Sequence, residues 1–255
     1  MRLALPPLTP AIKGLLIANV AVFLVTAFAT NFLGSTFIQD YLGVQPALVF
    51  KGYLWQPFTY MWIHSTASLG HLFSNMLMLY FFGGFYESSR GSRGVVQTYL
   101  ATGLAGGLAV VLVGGAWHIA PVSVQYFDMT WSVSTIGASG SALGIFSAWC
   151  GLFWNQTKSF FILGPIKVNN FFYFFLVLQL LSAVVLDGSS TAAHLGGMAA
   201  GLAIGRNNLL GRANVWWERR KLLAKQAELQ KELDRFTVID GGRDDEDENG
   251  DDWIH

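Results

Sequence analysis

The sequence is poor in cysteine and in charge. Cys150 is the only cysteine, so an internal disulfide is excluded, and its apolar neighbours favour a role as a small buried hydrophobe. Charged residues make up only 13% of the 255 residues, whereas 53% are hydrophobic and Phe occurs 20 times. Soluble globular domains usually carry about 25% charged residues. The composition therefore predicts a membrane protein.

The charged residues that are present lie mostly in the tail. Residues 1–208 contain eight Lys or Arg and four Asp or Glu, whereas residues 209–255 contain eight and twelve. The net charge of zero thus combines an apolar body with a charged tail. The body has no basic patch interleaved with aromatic residues, so nucleic acid is not expected as a partner.

Six apolar runs approach the roughly 20 residues that a helix needs to cross a bilayer. The connections between them contain turn and polar residues, whose backbone groups could not stay unpaired in lipid. Uninterrupted runs fit helices better than the strands of a barrel. The sequence predicts an all-α polytopic membrane protein with spans near residues 12–32, 70–86, 94–115, 139–154, 171–186 and 192–208.

Basic residues in the short connections predict the orientation. Six spans put both termini on one side, and the Lys and Arg residues fall on that side with Lys51 as the exception. By the positive-inside rule, both termini are expected in the cytoplasm. One alternative stays open, because Arg2, the apolar run from Gly14 and the triplet at 27–29 resemble a secretory signal. Cleavage of such a signal would leave five spans.

Composition divides the chain into four parts. A short cytoplasmic N-terminus precedes the six-helix core, and a charged cytoplasmic helix and an acidic run follow it. The expected bounds are residues 1–11, 12–208, 209–239 and 240–255. The last part has too little apolar content to fold, so disorder is favoured over a docking motif.

The third part has the pattern of an amphipathic helix. Trp216 and Trp217 suit a membrane interface, and a 4-3-4-3 spacing follows on an otherwise charged stretch. Such a helix would lie on membrane lipids or bind a cytoplasmic partner along residues 215–236. The spaced positions are Leu222, Gln226, Leu229, Leu233 and Phe236.

Four polar residues near the outer ends of three spans are the candidates for chemistry. The second, fourth and sixth spans all run inward, so their first turns lie at one depth. His71 and Asn75 open the second span, Ser139 opens the fourth, and His194 lies in the first turn of the sixth. Placing a polar side chain in lipid costs free energy, and helix packing alone does not require it. The shared depth of these four residues therefore predicts one functional site.

The types of these residues fit a serine hydrolase. A neutral imidazole can take the proton of a hydroxyl, which assigns Ser139 as nucleophile and His194 as base. The side chains of His71 and Asn75 and the backbone N–H of Ser139 would donate to the oxyanion of the tetrahedral intermediate. The acidic residues of the body all fall in loops or at helix ends, so a dyad is expected instead of a triad. No cofactor or metal ion is expected.

Glycines flank the serine and follow the histidine. Small residues let two helices approach closely, and a stripe at every fourth residue of the sixth span would bring His194 toward Ser139. Taken alone, the glycine-containing segment around Ser139 and the one around His194 each favour a simpler interpretation. In that interpretation, small residues pack two helices together and the serine and histidine are incidental. The glycines expected to have a structural role are Gly137, Gly140, Gly197 and Gly201.

Five motifs follow one another along the apolar body: Trp55-Gln56-Pro57-Phe58-Thr59, His71-Leu72-Phe73-Ser74-Asn75, Gly83-Gly84-Phe85-Tyr86-Glu87, Gly137-Ala138-Ser139-Gly140, and Ala193-His194 followed by Gly197 and Gly201. Together, and in this order, they resemble the motifs of the rhomboid intramembrane serine proteases. The resemblance covers residues 12–208.

The resemblance implies a six-transmembrane-helix rhomboid fold in its simpler, mostly bacterial form. It implies a Ser139/His194 dyad, oxyanion roles for His71 and Asn75, and cleavage of transmembrane protein substrates near the outer membrane face. The expected location is a bacterial inner membrane, surrounded by lipids. Many members carry Arg where this chain has Gln56. Many also carry, at the position of Leu143, a Tyr that packs on the catalytic imidazole.

Other classes of protease conflict with the residues. Intramembrane metalloproteases need a His-Glu-x-x-His helix, and neither His64 nor His71 begins one. Aspartyl types need two Asp within the spans, which contain none. A soluble serine esterase uses Gly-x-Ser-x-Gly, whereas Gly140 directly follows Ser139. His64, just before the second span, is expected to be an interfacial or loop residue.

The main alternative is an inactive rhomboid-like protein, which would bind transmembrane segments as an adaptor or chaperone without cutting them. Such proteins typically lack the serine or the histidine, whereas this chain has both. A transporter comes third, because paired Asp and Glu residues are missing from the spans.

Overall fold

The computed structural model describes residues 6–119, 131–160, 164–185 and 188–234, most of which are helical. Each of the six apolar runs coincides with a helix, and the second and third share one long helix. The helices are α1 (Pro10–Leu33), α2 (Phe37–Leu42), α3 (Pro46–Val49), α4 (Gln56–Thr59), α5 (Leu69–Ile119), α6 (Ser139–Leu152), α7 (Val168–Val185), α8 (Gly188–Asn207) and α9 (Leu209–Leu233). Strands β1 (Thr157–Phe160) and β2 (Gly164–Lys167) form an antiparallel hairpin between α6 and α7.

The long helix α5 reverses direction at Gly91. This residue has φ 68° and ψ 169°, a conformation that glycine adopts without the steric penalty of a Cβ. His71 in the first turn approaches Gly137, and His118 in the last turn stacks on Trp131 with 3.9 Å between ring centroids. Both ends of α5 therefore meet the same short segment, which a straight helix of 51 residues could not do. Residues 69–90 and 92–119 form two antiparallel helices.

Two helices of the described ranges are long and apolar enough to cross a membrane by length and composition, α1 and α5. A shorter apolar stretch, Val168–Ala183, lies in α7. Large apolar side chains are exposed on α1 and α7, among them Phe28 and Leu181. Extended apolar surface of this kind marks contact with a membrane or another protein.

The central helix of the bundle is α6. Its residues from Gly140 to Gly151 are buried, and it packs against α5, α7 and α8. A Cβ on any of three glycines of α8 would overlap a carbonyl oxygen of α6, so the two backbones touch. The close approach expected from the glycine stripe is therefore present. The contacts pair Gly197 with Gly140, Gly201 with Gly144 and Gly205 with Ala148.

Aromatic rings attach α7 to the bundle. Phe175 of α7 lies 4.7 Å from Phe146 of α6 and 6.3 Å from Phe82 of α5, measured between ring centroids. Phe82 and Phe146 themselves are 4.7 Å apart at an interplanar angle of 64°. Edge-to-face contacts of this kind add to the stabilisation from burial. The cluster fixes the middle of α7 against the central helix.

The buried amide of Gln56 organises the loop between α1 and α5. Its Oε1 accepts the backbone N–H of Gln45 at 3.1 Å, and its Nε2 donates to the carbonyls of Asp40 and Tyr41 at 3.4 and 3.3 Å. The same loop pairs with the segment before α6 through a bridge between Val44 and Thr135. The uncharged, buried side chain of Gln56 thus pairs with three backbone groups of this loop.

The described residues from 213 to 234 belong to a second compact unit, which contains most of α9. Within it, the guanidinium of Arg220 lies 4.7 Å from the ring centroid of Trp216, and Lys221 lies 6.0 Å from that of Trp217. Nearly all of α9 is exposed. Phe236 and the acidic run at 240–255 lie outside the described residues. The amphipathic surface and its cytoplasmic partner stay predictions.

A carboxylate from α5 caps the start of α1. The side chain of Glu87 accepts the hydroxyl of Thr9 at 2.5 Å and the backbone N–H groups of Ala11 and Ile12, each at 3.0 Å. The hydroxyl of Ser92 donates to the same carboxylate at 2.6 Å. A negative charge at a helix N-terminus satisfies unpaired N–H groups and complements the helix dipole. One buried acid thus fixes α1 to the turn at Gly91.

We expect Glu87→Gln to lower the free energy of unfolding by about 2 kcal/mol, because hydrogen bonds to a charged acceptor are the stronger kind. Unfolding in mild detergent, followed by circular dichroism, measures the change. Asp40→Asn is the control, since that exposed carboxylate also accepts a threonine hydroxyl, from Thr36 at 2.7 Å. It should cost less than about 0.5 kcal/mol. Equal losses for the two variants would contradict the capping role.

Candidate active site

The structure brings Ser139 and His194 into hydrogen-bond contact. Ser139 is the first residue of α6, and His194 lies in the second turn of α8. The Oγ of Ser139 and the Nε2 of His194 are 2.7 Å apart. The contact follows from the packing of the two helices, because Gly197 lies one turn after the histidine and touches Gly140 beside the serine. A hydroxyl and an imidazole at this distance can exchange a proton.

The second ring nitrogen of His194 contacts a residue that the sequence reasoning missed. Its Nδ1 lies 2.6 Å from the Oε1 of Gln179 on α7. Gln179 is the only amide residue within the apolar run 171–186. An amide in a membrane-spanning run often has a functional role, so the sequence contained a signal that could have identified Gln179. Both nitrogens of the imidazole are therefore engaged.

His71 and Asn75 lie on one face of the first turns of α5, as their spacing predicts. Asn75 is only 4% exposed, yet its Nδ2 has no hydrogen-bond partner among the described residues. The Nδ1 of His71 accepts a long hydrogen bond of 3.5 Å from the backbone N–H of Ser65. An accepting Nδ1 leaves the proton on Nε2 in a neutral ring. Two N–H donors thus face the region around Gly137.

Gly137 allows this arrangement because it has no side chain. Its φ of 132° is disfavoured for other residues, and a Cβ there would lie 2.8 Å from the Nε2 of His71. Its backbone N–H donates to the carbonyl of Tyr60 at 3.1 Å. Gly140 has a similar constraint, since a Cβ would meet the hydroxyl of Tyr60 at 2.8 Å and the carbonyl of Ala193 at 3.1 Å.

The four predicted polar residues line one cavity of about 300 Å³. Gln179 lines it as well, and Leu143, which is almost fully buried, forms part of its apolar wall. A volume of this size lies at the lower end of the range of ligand pockets. The remaining polar lining includes Ser74, Thr135 and Ser190. The cavity therefore leaves open space next to Ser139.

His64 lies in the loop before α5, as expected, but it is fully buried. Its Nε2 accepts the backbone N–H of Ala138 at 3.5 Å, and its ring centroid lies 5.5 Å from that of His71. Burial, and next the neighbouring His71, lower the pKa of His64 to about 4. The ring is therefore neutral at physiological pH and supports the residue that precedes Ser139.

Within the described ranges, no three His, Cys, Asp or Glu side chains cluster closely enough to hold a metal ion. The chemistry that the described side chains offer at this cavity is a hydroxyl with a base at hydrogen-bond distance, together with N–H donors on the neighbouring helix.

We expect Gly137→Ala to displace the His71 ring, because the new methyl group would occupy its position. Gly52→Ala is the matched control, since Gly52 also has a positive φ, of 104°, but has open space around its Cα. Both variants should lose about 1–3 kcal/mol of stability through backbone strain. Only Gly137→Ala should shift the imidazole NMR signals of His71. Unchanged His71 signals in that variant would contradict the contact.

A family model described as Rhomboid domain matches residues 51–209. The match covers more than half of the chain and contains Ser139, His194, His71 and Asn75. Helix α1 and most of α9 lie outside it. No curated protein matches the chain.

Proposed function

Because the chain belongs to the rhomboid family, we propose that it is a serine endopeptidase that hydrolyses peptide bonds in or near transmembrane segments of membrane proteins. The observation that carries the proposal is the 2.7 Å contact between Ser139 and His194. It occurs beside a cavity that is also lined by Asn75, whose Nδ2 has no hydrogen-bond partner among the described residues. A purely structural serine and histidine would not need an open cavity with unsatisfied donors.

In the proposed reaction, the Oγ of Ser139 attacks the carbonyl carbon of the substrate peptide bond. The Nε2 of His194 takes the hydroxyl proton as the oxygen–carbon bond forms, and then donates it to the leaving amine as the carbon–nitrogen bond breaks. A water molecule in the cavity then attacks the acyl-enzyme, again with His194 as the base. This second attack releases the new carboxyl end and restores Ser139.

The negative charge of the tetrahedral intermediate would lie on the former carbonyl oxygen. The Nδ2 of Asn75 and the Nε2 of His71 are the side-chain donors on that side of Ser139, near Gly137. The backbone N–H of Ser139 has no acceptor within α6, because it belongs to the first turn. Fixed donors in a site of low dielectric stabilise a developing oxyanion strongly.

The short length of α6 supports a site below the membrane surface. Its 14 residues span roughly 21 Å, whereas the hydrocarbon core is about 30 Å thick. If α6 reaches the inner surface, Ser139 lies several ångströms inside the core and water must enter through the cavity. This arrangement fits six spans, formed by α1, the two halves of α5, and α6 to α8. Both termini would then be cytoplasmic and the cavity would open outward.

Transmembrane substrates would enter from the lipid between helices. The aromatic contacts of α7 include Phe175, whereas Leu178, Leu180 and Leu181 further along the helix are exposed. Helix α7 also carries part of the cavity wall through Gln179. A substrate segment packed along this apolar surface would reach Ser139 after local unwinding of its peptide bond. The proposed location is a bacterial inner membrane.

We expect Ser139→Ala and His194→Ala each to lower kcat by roughly 10³-fold or more toward a fluorogenic transmembrane substrate. Purified protein in detergent or liposomes supports the assay, and binding of the substrate should persist. Ser147→Ala is the matched control, because Ser147 is buried on the same helix without a hydrogen-bond partner in the described chain. Cleavage at the full rate by Ser139→Ala would refute the nucleophile. Binding without cleavage by the natural chain would identify an inactive binder.

We expect Asn75→Ala to lower kcat by roughly 10²-fold or less, with KM unchanged, since the remaining donors still hold the oxyanion. Steady-state kinetics with the same substrate measures both constants. Asn155→Ala, in the exposed connection after α6, serves as the control and should match the natural chain. A higher KM at constant kcat would instead assign Asn75 to substrate binding.

A further inference from the structure

We infer that Gln179 is an uncharged third member of the site, a positioning residue that holds the Nδ1–H of His194 and so directs the Nε2 lone pair at Ser139. The inference rests on the proposed function, because it assigns a role in that reaction. It replaces a plain dyad with a chain of three side chains from α6, α7 and α8. The two contacts measure 2.7 Å and 2.6 Å.

The tautomer follows from the chemistry of the three groups. A neutral imidazole has one N–H donor and one accepting nitrogen, and an amide oxygen can only accept. The Oε1 of Gln179 therefore requires the proton of His194 on Nδ1, which leaves Nε2 free to accept from the hydroxyl of Ser139. With the amide turned around, its NH₂ would donate to Nδ1 and the proton would lie on Nε2. That state has no base for the hydroxyl, so only the first arrangement is productive.

The register of α7 against α8 brings these two residues to one level. Gln179 lies six residues before Val185 at the end of α7, and His194 lies six residues after Gly188 at the start of α8. Six helical residues rise about 9 Å, so both side chains have the same distance from the connection. Phe175, one turn before Gln179, packs on Phe146 of α6 and fixes this part of α7.

An amide suits this position better than a carboxylate. Leu178 and Leu180, on either side of Gln179, are exposed apolar residues of α7, and the proposed topology places them toward lipid. An ionised group there would lose much of its hydration. A glutamine can accept the same hydrogen bond without a charge. Leu143, which also lines the cavity, has no hydrogen-bonding atom in its side chain, so Gln179 supplies the polar contact that orients the ring.

Two substitutions separate positioning from packing. Gln179→Leu removes the acceptor with little change in volume, and we expect a 10- to 100-fold lower kcat at unchanged KM, roughly the effect of losing a group that orients a functional histidine. Gln179→Glu keeps an acceptor and adds a negative charge, which favours the imidazolium. We therefore expect most of the rate to return at high pH, with the acidic limb of the pH–rate profile moved upward by about one unit or more.

The control for these variants is Gln156→Leu, the same change at an exposed glutamine after α6. It should leave both kcat and the pH profile unchanged. Equal losses in Gln179→Leu and Gln179→Glu, with no movement of the acidic limb, would indicate packing alone and overturn the inference. A natural kcat in Gln179→Leu would overturn the inference as well. The proposed function is tested separately, because loss of activity in Ser139→Ala would support it whatever the result for Gln179.

Nitrogen NMR of His194 tests the hydrogen bond without any substrate. In protein labelled with ¹⁵N-histidine, we expect the natural chain to hold the proton on Nδ1, and Gln179→Leu to lose that preference. This result would support the positioning role even if no peptide substrate were cleaved. A proton on Nε2 in the natural chain, or an unchanged tautomer in Gln179→Leu, would refute it.

Discussion

The backbone contact between α6 and α8 is the constraint on which the site depends. Each glycine of the α8 stripe touches a carbonyl oxygen of α6, so the two helices lie as close as their main chains allow. Ser139 lies just before the contacting residues of α6, and His194 lies just before those of α8. The Oγ of Ser139 and the Nε2 of His194 are 2.7 Å apart. A side chain at Gly197 or Gly201 would separate the helices by about the size of a methyl group or more, which exceeds the tolerance of a hydrogen bond.

Around that contact, polar groups are held by an apolar framework. Neutral, buried His64 supports the residue before Ser139, Gln56 holds the loop between α1 and α5, and Glu87 caps α1 beside the turn of α5 at Gly91. The side chains of Gln56 and Glu87 have their hydrogen bonds satisfied, as buried polar groups require, whereas the Nδ1 of His64 has no partner among the described residues. The amide nitrogen of Asn75 is an exception, and it lies where the proposed oxyanion would form. Stability and reactivity thus come from different polar residues.

Much of the framework could be predicted from the sequence. Apolar runs and a four-residue glycine period are local patterns, and they located the helices and the close approach of α6 to α8. The expectation that alternate spans run in the same direction was enough to group Ser139, His194, His71 and Asn75. The contact of Gln179 with His194 could not be predicted from the sequence, because it depends on the register of α7 against α8. The helix cap by Glu87 and the loop contacts of Gln56 could not be predicted either, since each joins residues that no periodic pattern links.

The central claim is that His194 activates Ser139 among the many hydroxyl groups of this chain. A fluorophosphonate tests it directly, because an activated serine forms an oxygen–phosphorus bond and expels fluoride, whereas ordinary serines do not react. Intact-protein and peptide mass spectrometry of the folded protein in detergent locates the adduct. The account predicts one phosphonyl group per chain, on Ser139, and none in His194→Ala. Labelling at another serine, or equal labelling of Ser139 without His194, would contradict it.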